Sequence, residues 1–369
     1  MDGQHTSLWA RFRSWTHLHH ALTTLFIIAG LLIASGITAF ALLYRAPKQV
    51  ASVKETPAVK IPTPTPSPLV FYSPLTGEKV PDDASTKQAV TGVMIENSPD
   101  ARPQSGLKEA GVVYEAIAEG GITRFLALFQ QEKPALVGPV RSLRLYDIDW
   151  LAPFQASIAH VGGSLYALRE IRNGSYRDLD QFFNGGYYWR TKDRYAPHNV
   201  YTDFSHLDAL NNKKGYTTSV FTAWPRQDGA TAKEVTANSI NVTISSALYN
   251  SHYDYSAATN TYARSQAGKP HLDREKGQIT PAVVIVIEVQ ESTILQDGYR
   301  EQITTIGSGK AHIFQNGTET EATWSKADRG SQITFTDGSG IQIPLDRGQT
   351  WITAVPANRG GKVTWTLTK

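Results

Sequence analysis

The first pattern along the chain is an uninterrupted run of apolar and small residues. No charged residue lies between Ala21 and Tyr44. Because a helix rises ~1.5 Å per residue, a helix of this length can cross a hydrocarbon core of roughly 30 Å. We predict a transmembrane anchor over residues 21–44, a cytoplasmic tail at residues 1–20 and the remaining chain outside the cytoplasm.

Two features of this anchor leave alternatives open. Positive charges flank the run on both sides, at Arg11, Arg13, Arg45 and Lys48. They therefore give no clean orientation, and the one chosen rests on all of the foldable sequence following the run. Residues 39–41 (Ala-Phe-Ala) would suit signal-peptide cleavage. The run nevertheless exceeds the usual signal core of ~7–15 residues, which favours an uncleaved anchor.

A proline-rich segment follows at residues 45–70. Its six prolines are Pro47, Pro57, Pro62, Pro64, Pro66 and Pro68. Such a stretch favours polyproline II, which extends at ~3.1 Å per residue, and it has few apolar residues to bury. We predict a spacer that holds a folded region away from the membrane, with recognition by a proline-binding partner as the alternative.

Residues 71–225 then mix short apolar runs with stretches of helical periodicity. The predicted strands are Val90–Ile95, Val112–Ile117, Phe125–Phe129 and Ser157–Val161. The predicted helical stretches are Leu107–Ala110, Leu165–Ile171 and Phe204–Leu210. Paired glycines at 120–121, 162–163 and 185–186 indicate tight turns or close backbone approaches. These features predict a mixed α/β domain.

Residues 235–369 have a different pattern, in which short β-type runs are separated by Gly, Asp and Asn. The predicted strands are Val283–Val289, Glu301–Ile306, Ala311–Phe314, Glu321–Ser325, Gln332–Phe335, Ile341–Pro344, Trp351–Val355 and Lys362–Thr366. The Asp-Gly pair at 337–338 is typical of a hairpin. We predict a small β-sandwich or barrel here, which makes the whole chain α+β with a domain boundary between residues 225 and 235.

Composition excludes several kinds of protein. The 369-residue chain has no cysteine, so it has no disulfide, thiolate nucleophile, Cys-based metal site or lipid-accepting Cys. The net charge of +3 comes entirely from residues 1–50, which carry four basic residues and one acidic residue. The remainder has 32 of each sign and hence no global basic field. We therefore expect no nucleic acid partner.

Several long motifs resemble a known family. They include residues 94–97 (Met-Ile-Glu-Asn), 101–107 (Ala-Arg-Pro-Gln-Ser-Gly-Leu), 119–125 (Glu-Gly-Gly-Ile-Thr-Arg-Phe), 138–142 (Gly-Pro-Val-Arg-Ser), 196–199 (Ala-Pro-His-Asn) and 270–273 (Pro-His-Leu-Asp). Over residues 69–357 the sequence resembles the YerB-like family of bacterial proteins described as lipoproteins. The resemblance implies two consecutive domains and an envelope location, and it implies no reaction. The chain departs from the family in lacking a lipid-accepting Cys.

The candidate catalytic carboxylates lie in these motifs, beside arginines that could bind an anionic group. The carboxylates are Glu96, Glu115 and Glu119, and the arginines are Arg102, Arg124, Arg141 and Arg144. Glu115 and Glu119 are four residues apart, a spacing that places both on one face of a strand or helix. They could act as acid and base or hold a cation, or these charges could form an internal ion-pair network with the arginines.

Histidines supply the second set of candidates. His160 and His198 are candidate acid–base groups beside glycine and proline turns. His271 and Asp273 would project to the same side of an extended segment, which permits two ligands of a metal site. No fixed metal spacing such as HExxH occurs, and a loop histidine is more often simply hydrogen-bonded. No particular cofactor is indicated.

Two further segments have alternative interpretations. Gly307-Ser308-Gly309-Lys310 departs from the phosphate-loop pattern, and Ser164 is better explained as the N-cap of the following helix than as a nucleophile. In the aromatic stretch 182–190, Tyr188 and Trp189 could bind a sugar ring or protein partner, or could pack on the domain core.

We expect a single-pass protein of the cell membrane. Two hypotheses follow for its function. The first is an extracytoplasmic binding or scaffold module whose partner is a cell-wall polymer or an envelope protein. The second is an envelope hydrolase that uses the carboxylate, histidine and arginine residues above. Convergence of the acidic and histidine side chains in one pocket would favour the hydrolase, and pairing of each with an arginine would disfavour it.

Overall fold

The computed structural model describes residues 8–44, 69–174, 176–294 and 300–368. The chain divides into two compact units, residues 1–67 and 68–369. In the first unit, helices α1 (Leu8–Leu18) and α2 (His20–Leu43) occupy the N-terminal segment. The span His20–Phe40 has a mean hydropathy of 2.1 and is not buried by the protein, so it is long and apolar enough to cross a membrane. The predicted linker at 45–70 lies almost entirely outside the described residues.

The second unit begins with short strands and helices. In chain order its first strands are β1 (Phe71–Tyr72), β2 (Lys79–Val80), β3 (Thr91–Glu96), β4 (Val112–Glu119), β5 (Ile122–Phe129), β6 (Ser157–His160), β7 (Arg177–Asp180), β8 (Trp189–Arg190), β9 (Val200–Tyr201) and β10 (Arg226–Gln227). The helices are α3 (Asp83–Thr86), α4 (Leu145–Leu151), α5 (Leu165–Asn173) and α6 (Phe204–Lys214). The predicted glycine turn is confirmed, since Gly120 and Gly121 have φ of 56° and 77° between β4 and β5.

The rest of the unit is built almost entirely of strands. They are β11 (Ser239–Thr243), β12 (Ser251–Ser256), β13 (Thr261–Gln266), β14 (Lys269–Pro270), β15 (Leu272–Asp273), β16 (Gly277–Gln278), β17 (Val283–Val289), β18 (Glu291–Ile294), β19 (Arg300–Ile303), β20 (Gly307–Gln315), β21 (Thr318–Lys326), β22 (Thr334–Thr336), β23 (Leu345–Asp346), β24 (Thr350–Pro356) and β25 (Lys362–Thr366). The Gly-Ser-Gly-Lys segment therefore begins strand β20.

One large mixed sheet joins the two predicted domains. Its order is β22-β21-β20-β17-β24-β4-β5-β3-β6-β7, with β18 and β19 attached beside β4. Strand β24 pairs in parallel with β4, so Thr350 lies opposite Val112. The segments 71–225 and 235–369 thus contribute to one compact unit, and the predicted boundary separates two regions of sequence within one sheet.

The described strands of the predicted β-rich region divide between two sheets and do not form a barrel of their own. Strands β11 to β14 and β25 form a five-stranded antiparallel sheet in the order β14-β13-β12-β11-β25. Strands β17 to β22 and β24 belong to the large sheet instead. Adding β17 and β24 beside β4 buries these apolar strands in the middle of the large sheet.

Side-chain alternation along β4 shows how the two cores arise. Val112, Tyr114 and Ala116 belong to one buried cluster together with Trp150 of α4. The intervening residues face a second cluster, which includes side chains of the five-stranded sheet such as Tyr253. The large sheet therefore has an apolar layer on each face, as its central strands require.

Several helices and strands were missed or wrongly predicted from the sequence. Helix α4 was missed because six of its seven residues are buried, among them Asp147 and Asp149, so it lacks the exposed polar face that would reveal a helical period. The predicted helix at 107–110 is only a 3₁₀ turn over Leu107–Glu109, and residues 341–344 form no strand. Strands β11 to β13 were missed since polar residues occupy many of their positions.

Candidate functional site

The charged motifs meet at the end of strands β3, β4 and β5. Arg124 of β5 lies between two carboxylates, with Nη2 at 3.7 Å from Oε1 of Glu96 and 3.3 Å from Oε1 of Glu119. Arg141 pairs with the other oxygen of Glu96, and Arg144 pairs with the other oxygen of Glu119. Each glutamate is therefore held between two arginines, in a chain of alternating charges.

The arginines keep both carboxylates ionised. Burial would raise the pKa of Glu96, but the nearby charges of Arg124 and Arg141 outweigh burial and lower it. Burial likewise opposes ionisation of Glu119, yet Arg124 and Arg144 lower its pKa to about 2. A carboxylate with so low a pKa is a poor general acid or base near neutral pH.

Glu115 does not share a face with Glu119, contrary to the prediction from their spacing. The pairing of β4 with β5 shifts register between Ile117 and Glu119, which is a β-bulge. An extra residue at a bulge reverses the inward and outward alternation of the strand beyond it. Glu119 thus contacts Arg124 and Arg144, whereas Glu115 contacts Thr123 and Arg264.

Glu115 belongs to a closed ring of hydrogen bonds between the two sheets. Arg264 donates to Oε2 of Glu115 at 2.8 Å and, through its other terminal nitrogen, to Nδ1 of His271. From His271 the ring continues through Gln104 (3.0 Å), Asn97 (3.0 Å) and Thr123 (2.6 Å), and Thr123 donates to Oε1 of Glu115 at 3.2 Å. Every member is buried.

The direction of this ring fixes the protonation state of His271. Arginine can only donate, so Nδ1 of His271 accepts and Nε2 carries the proton that is donated to Gln104. Burial, reinforced by the charge of Arg264, lowers the pKa of His271 well below its usual value. The ring therefore contains one positive and one negative charge, those of Arg264 and Glu115.

His271 and Asp273 both point inward but bind separate partners. The carboxylate of Asp273 accepts backbone N–H groups of Lys108, Glu275 and Lys276 at 3.0–3.2 Å. Both nitrogens of His271 are used within the ring. Among the described residues, no three His, Asp or Glu side chains are grouped as metal ligands.

The other two candidate histidines lie apart from each other. His198 reaches the charged chain, with Nδ1 at 3.1 Å from Oγ of Ser98 and 3.8 Å from Oε2 of Glu96. His160 is fully buried, and its two nitrogens contact Gly162 O at 2.7 Å and Oδ1 of Asp178 at 3.1 Å. Ser164, next to this turn, caps α5 through the N–H of Ala167, which confirms its predicted role.

The candidate ligand-binding side chains differ in their access to solvent. Arg124 and Arg144 are buried within the charged chain, whereas the side chain of Arg141 is 22% exposed. Tyr188 is a core residue whose hydroxyl donates to Leu179 O, and Trp189 packs beside His206 with ring centroids 5.5 Å apart. The exposed aromatics of that loop are Phe182 and Phe183.

Comparison with known proteins identifies the family. Residues 75–217 match the N-terminal domain, and residues 240–352 the C-terminal domain, of a family described as "Protein of unknown function (DUF3048)". The chain belongs to the DUF3048 family. It is 34% identical over 293 residues to "Putative lipoprotein YerB" of Bacillus subtilis (strain 168). The matched residues make up 77% of this chain and 86% of that protein. The resemblance noted in the sequence is therefore confirmed.

A solved structure supports the same assignment. The crystal structure of YerB from Bacillus subtilis matches this DUF3048 chain with a TM-score of 0.72 and 31% identity, over 80% of this chain and 99% of that chain. The two DUF3048 segments supply strands to one sheet, as β24 beside β4 shows.

Arg264, at the centre of the ring, was missed by sequence reasoning. It lies on β13, where Tyr262, Arg264 and Gln266 are buried and the residues between them are less so. That alternation was the available signal, since an arginine at an inward position of a strand needs a carboxylate partner. The partner, Glu115, could not be named without knowing that the two sheets face each other.

Proposed function

We propose that this DUF3048 protein is a membrane-anchored, extracytoplasmic binding protein of the bacterial cell envelope. Support for the anchor comes from the apolar helix at His20–Phe40 and from similarity to a relative named as a lipoprotein. The absence of cysteine supports anchoring by the helix, since a lipid-accepting Cys is missing. The partner is a cell-wall polymer or another envelope protein.

One observation favours a binding function over a hydrolase function. Glu96, Glu115 and Glu119, the carboxylates suited to acid–base work, are each paired with an arginine. Pairing of this kind stabilises the ionised carboxylate and occupies its oxygens. The three glutamates are therefore part of an internal ion-pair framework. The side chains of Arg141 and His198, which contact this framework, are partly exposed to solvent.

The surroundings of His198 also disfavour nucleophilic catalysis. In a serine hydrolase the histidine contacts the serine through one nitrogen and the carboxylate through the other. Here Ser98 and Glu96 both face Nδ1 of His198, at 3.1 Å and 3.8 Å. Among the described residues no carboxylate contacts the other nitrogen, so the imidazole of His198 is not oriented as it is in a serine hydrolase.

The location can be tested with the full-length chain in bacterial cells. We expect it to sediment with membranes, to need detergent for extraction and to be cleaved by protease added outside the cytoplasmic membrane. Leu31→Arg with Leu32→Arg should release it, because each arginine costs about 2.5–3.5 kcal/mol at a helix centre. Leu31→Ile with Leu32→Ile is the matched control. A wild-type chain that stays in the cytosolic fraction would refute the anchor.

The choice between binding and hydrolysis needs a separate assay. Detergent-solubilised full-length protein should co-sediment with purified cell-wall material without releasing soluble fragments. Glu96→Gln should not abolish co-sedimentation in protein that remains folded. Release of fragments by the wild type, lost in folded Glu96→Gln or His198→Gln, would establish the hydrolase instead.

A further inference from the structure

A cavity of about 530 Å³ opens beside the ring, between residues 99–103 and residues 266–272. Its size falls within the range of about 300–1,000 Å³ that is typical of small-molecule sites. Three prolines and two leucines contribute to its lining, and Leu248 and Leu272 are 52% and 44% exposed. The lining thus combines six apolar residues with four polar ones, Arg102, Gln266, Lys269 and His271.

The charges that line the cavity are all positive. Arg102 and Lys269 contribute to the wall, and none of the described residues that line it is Asp or Glu. His271 also lines the cavity, but burial and the charge of Arg264 lower its pKa well below its usual value. The wall therefore carries two cations and a neutral imidazole.

Arg102 differs from the other arginines of this region in its partners. Arg124, Arg144 and Arg264 each have a glutamate oxygen within 4.0 Å. Arg102 donates instead to backbone oxygens of Asn97 (2.8 Å) and Leu248 (2.9 Å) and to Oδ1 of Asn97 (3.1 Å). Within the described part of the chain, no carboxylate forms an ion pair with it.

The fold holds Arg102 firmly at the cavity wall. Its Nε hydrogen bond ends on Asn97, which is itself a member of the buried ring. Its guanidinium carbon also lies 5.3 Å from the ring centroid of Tyr249. Burial lowers the pKa of Arg102, which is the expected consequence of a partly desolvated cation without an adjacent anion. A guanidinium fixed in this way is positioned to bind an anion.

We propose that this cavity binds a small ligand that carries a carboxylate on an apolar body, such as the C-terminus of a short apolar peptide. The carboxylate would accept from Nη1 of Arg102, which makes no hydrogen bond with the described residues, and would lie near the ammonium of Lys269. The apolar body would cover the prolines and leucines. The proposal rests on the proposed binding function and names a ligand class for it.

The test uses full-length protein in lipid nanodiscs and ligand-observed NMR. The probes are acetyl-leucyl-leucine, its C-terminal amide, 3-methylbutanoate and inorganic phosphate. The free peptide acid should bind at least about tenfold more tightly than the amide, because one charge pair is lost. Binding of 3-methylbutanoate as strong as that of the peptide acid would assign the site to small free acids. Phosphate binding as tight as that of both acids would overturn the carboxylate and apolar specificity.

Single-residue variants test whether the peptide acid binds in this cavity. Lys269→Gln should weaken binding of acetyl-leucyl-leucine about threefold or more, and Leu248→Asp should weaken it about tenfold by placing a carboxylate beside Arg102. Arg102→Lys should also weaken it, since an ammonium lacks the planar fork. Lys362→Gln removes the same charge from an exposed position on β25 and should have no effect.

Distinct outcomes separate this proposal from the broader one. Equal binding of acid and amide, or unchanged binding in folded Lys269→Gln and Leu248→Asp, would overturn the cavity assignment. If cell-wall co-sedimentation persisted in that case, the envelope-binding function would stand with its ligand at another surface.

Discussion

Glu115 and Arg264 are 149 residues apart in the chain, yet Oε2 of Glu115 lies 2.8 Å from Nη2 of Arg264. Their side chains are 1% and 0% exposed. The pair connects β4 of the large sheet with β13 of the five-stranded sheet. Trp351 adds a third element, because its indole N–H donates to the same carboxylate oxygen at 3.1 Å. This buried ion pair therefore connects the two DUF3048 segments between the facing sheets, in addition to the pairing of β24 with β4.

Replacing Glu115 by glutamine should strongly destabilise the protein. The substitution leaves the charge of Arg264 buried without a counter-charge, and breaking such a pair costs about 3–5 kcal/mol. The free energy of unfolding of the full-length chain in detergent, measured with urea, should fall by about that amount. The double variant Glu115→Gln with Arg264→Met should recover part of the loss, since it removes the uncompensated charge.

Glu234→Gln is the control for this measurement, because Glu234 is exposed. It should change the free energy of unfolding by no more than about 0.5 kcal/mol. A Glu115→Gln variant as stable as this control would show that the ring does not hold the two sheets together.

Acid should destabilise the protein through Glu119. Its pKa is about 2 in the folded protein against an ordinary value of 4.5, because Arg124 and Arg144 outweigh burial. A folded-state pKa below the unfolded one gives stability that is present above about pH 4.5 and is lost as the pH falls toward 2. A shift of this size is worth on the order of 3 kcal/mol.

The contribution of Glu119 can be isolated by comparing variants across pH. Glu119→Gln should be less stable than the wild type at pH 7, and the difference should shrink as the pH is lowered from 4.5 to 2. The exposed Glu275→Gln is the control and should follow the wild type at every pH. A constant difference between Glu119→Gln and wild type over that range would contradict the role of this carboxylate.

Local sequence signals were sufficient for much of the fold. Val283–Val289 and Lys362–Thr366 were predicted with the bounds that the structure has, since runs of β-branched residues and regular alternation identify strands directly. The cap at Ser164 was also predicted, because capping depends on residues three positions apart.

Relationships between distant segments could not be predicted from local patterns. The insertion of β24 beside β4 depends on which apolar strands meet in the sheet, and neither strand encodes its neighbour. The bulge after Ile117 similarly reverses the alternation that had placed Glu119 with Glu115. Glu96, Glu115, Glu119 and their neighbouring arginines were identified, but Arg264 was missed, and the pairing of all these charges follows from tertiary structure alone.

Removing the N-cap of α5 should have a modest effect on the free energy of unfolding. Ser164 accepts the N–H of Ala167 through its hydroxyl, and Ser164→Ala should lower the free energy of unfolding by about 1 kcal/mol. Ser164→Asp should retain most of the stability, because aspartate is also a good cap. If Ser164→Ala matched the wild type in urea unfolding, the cap would have no energetic role.

The aromatic loop allows structural and binding roles to be separated. Tyr188 is 7% exposed and its hydroxyl donates to Leu179 O, so Tyr188→Ala should cost about 3–5 kcal/mol by leaving a cavity. Phe182 and Phe183 are each 70% exposed, so changing both to serine should alter stability by less than about 1 kcal/mol.

Exposed aromatic rings are suited to contact with a sugar or protein surface, which gives the same pair a measurable role in binding. The double variant Phe182→Ser with Phe183→Ser should therefore reduce co-sedimentation of the full-length protein with cell-wall material while its urea unfolding is preserved. Phe182→Tyr with Phe183→Tyr keeps both rings and should retain co-sedimentation. Equal co-sedimentation of the serine and tyrosine variants would exclude these rings from the binding surface, because the two variants differ there only in aromatic area.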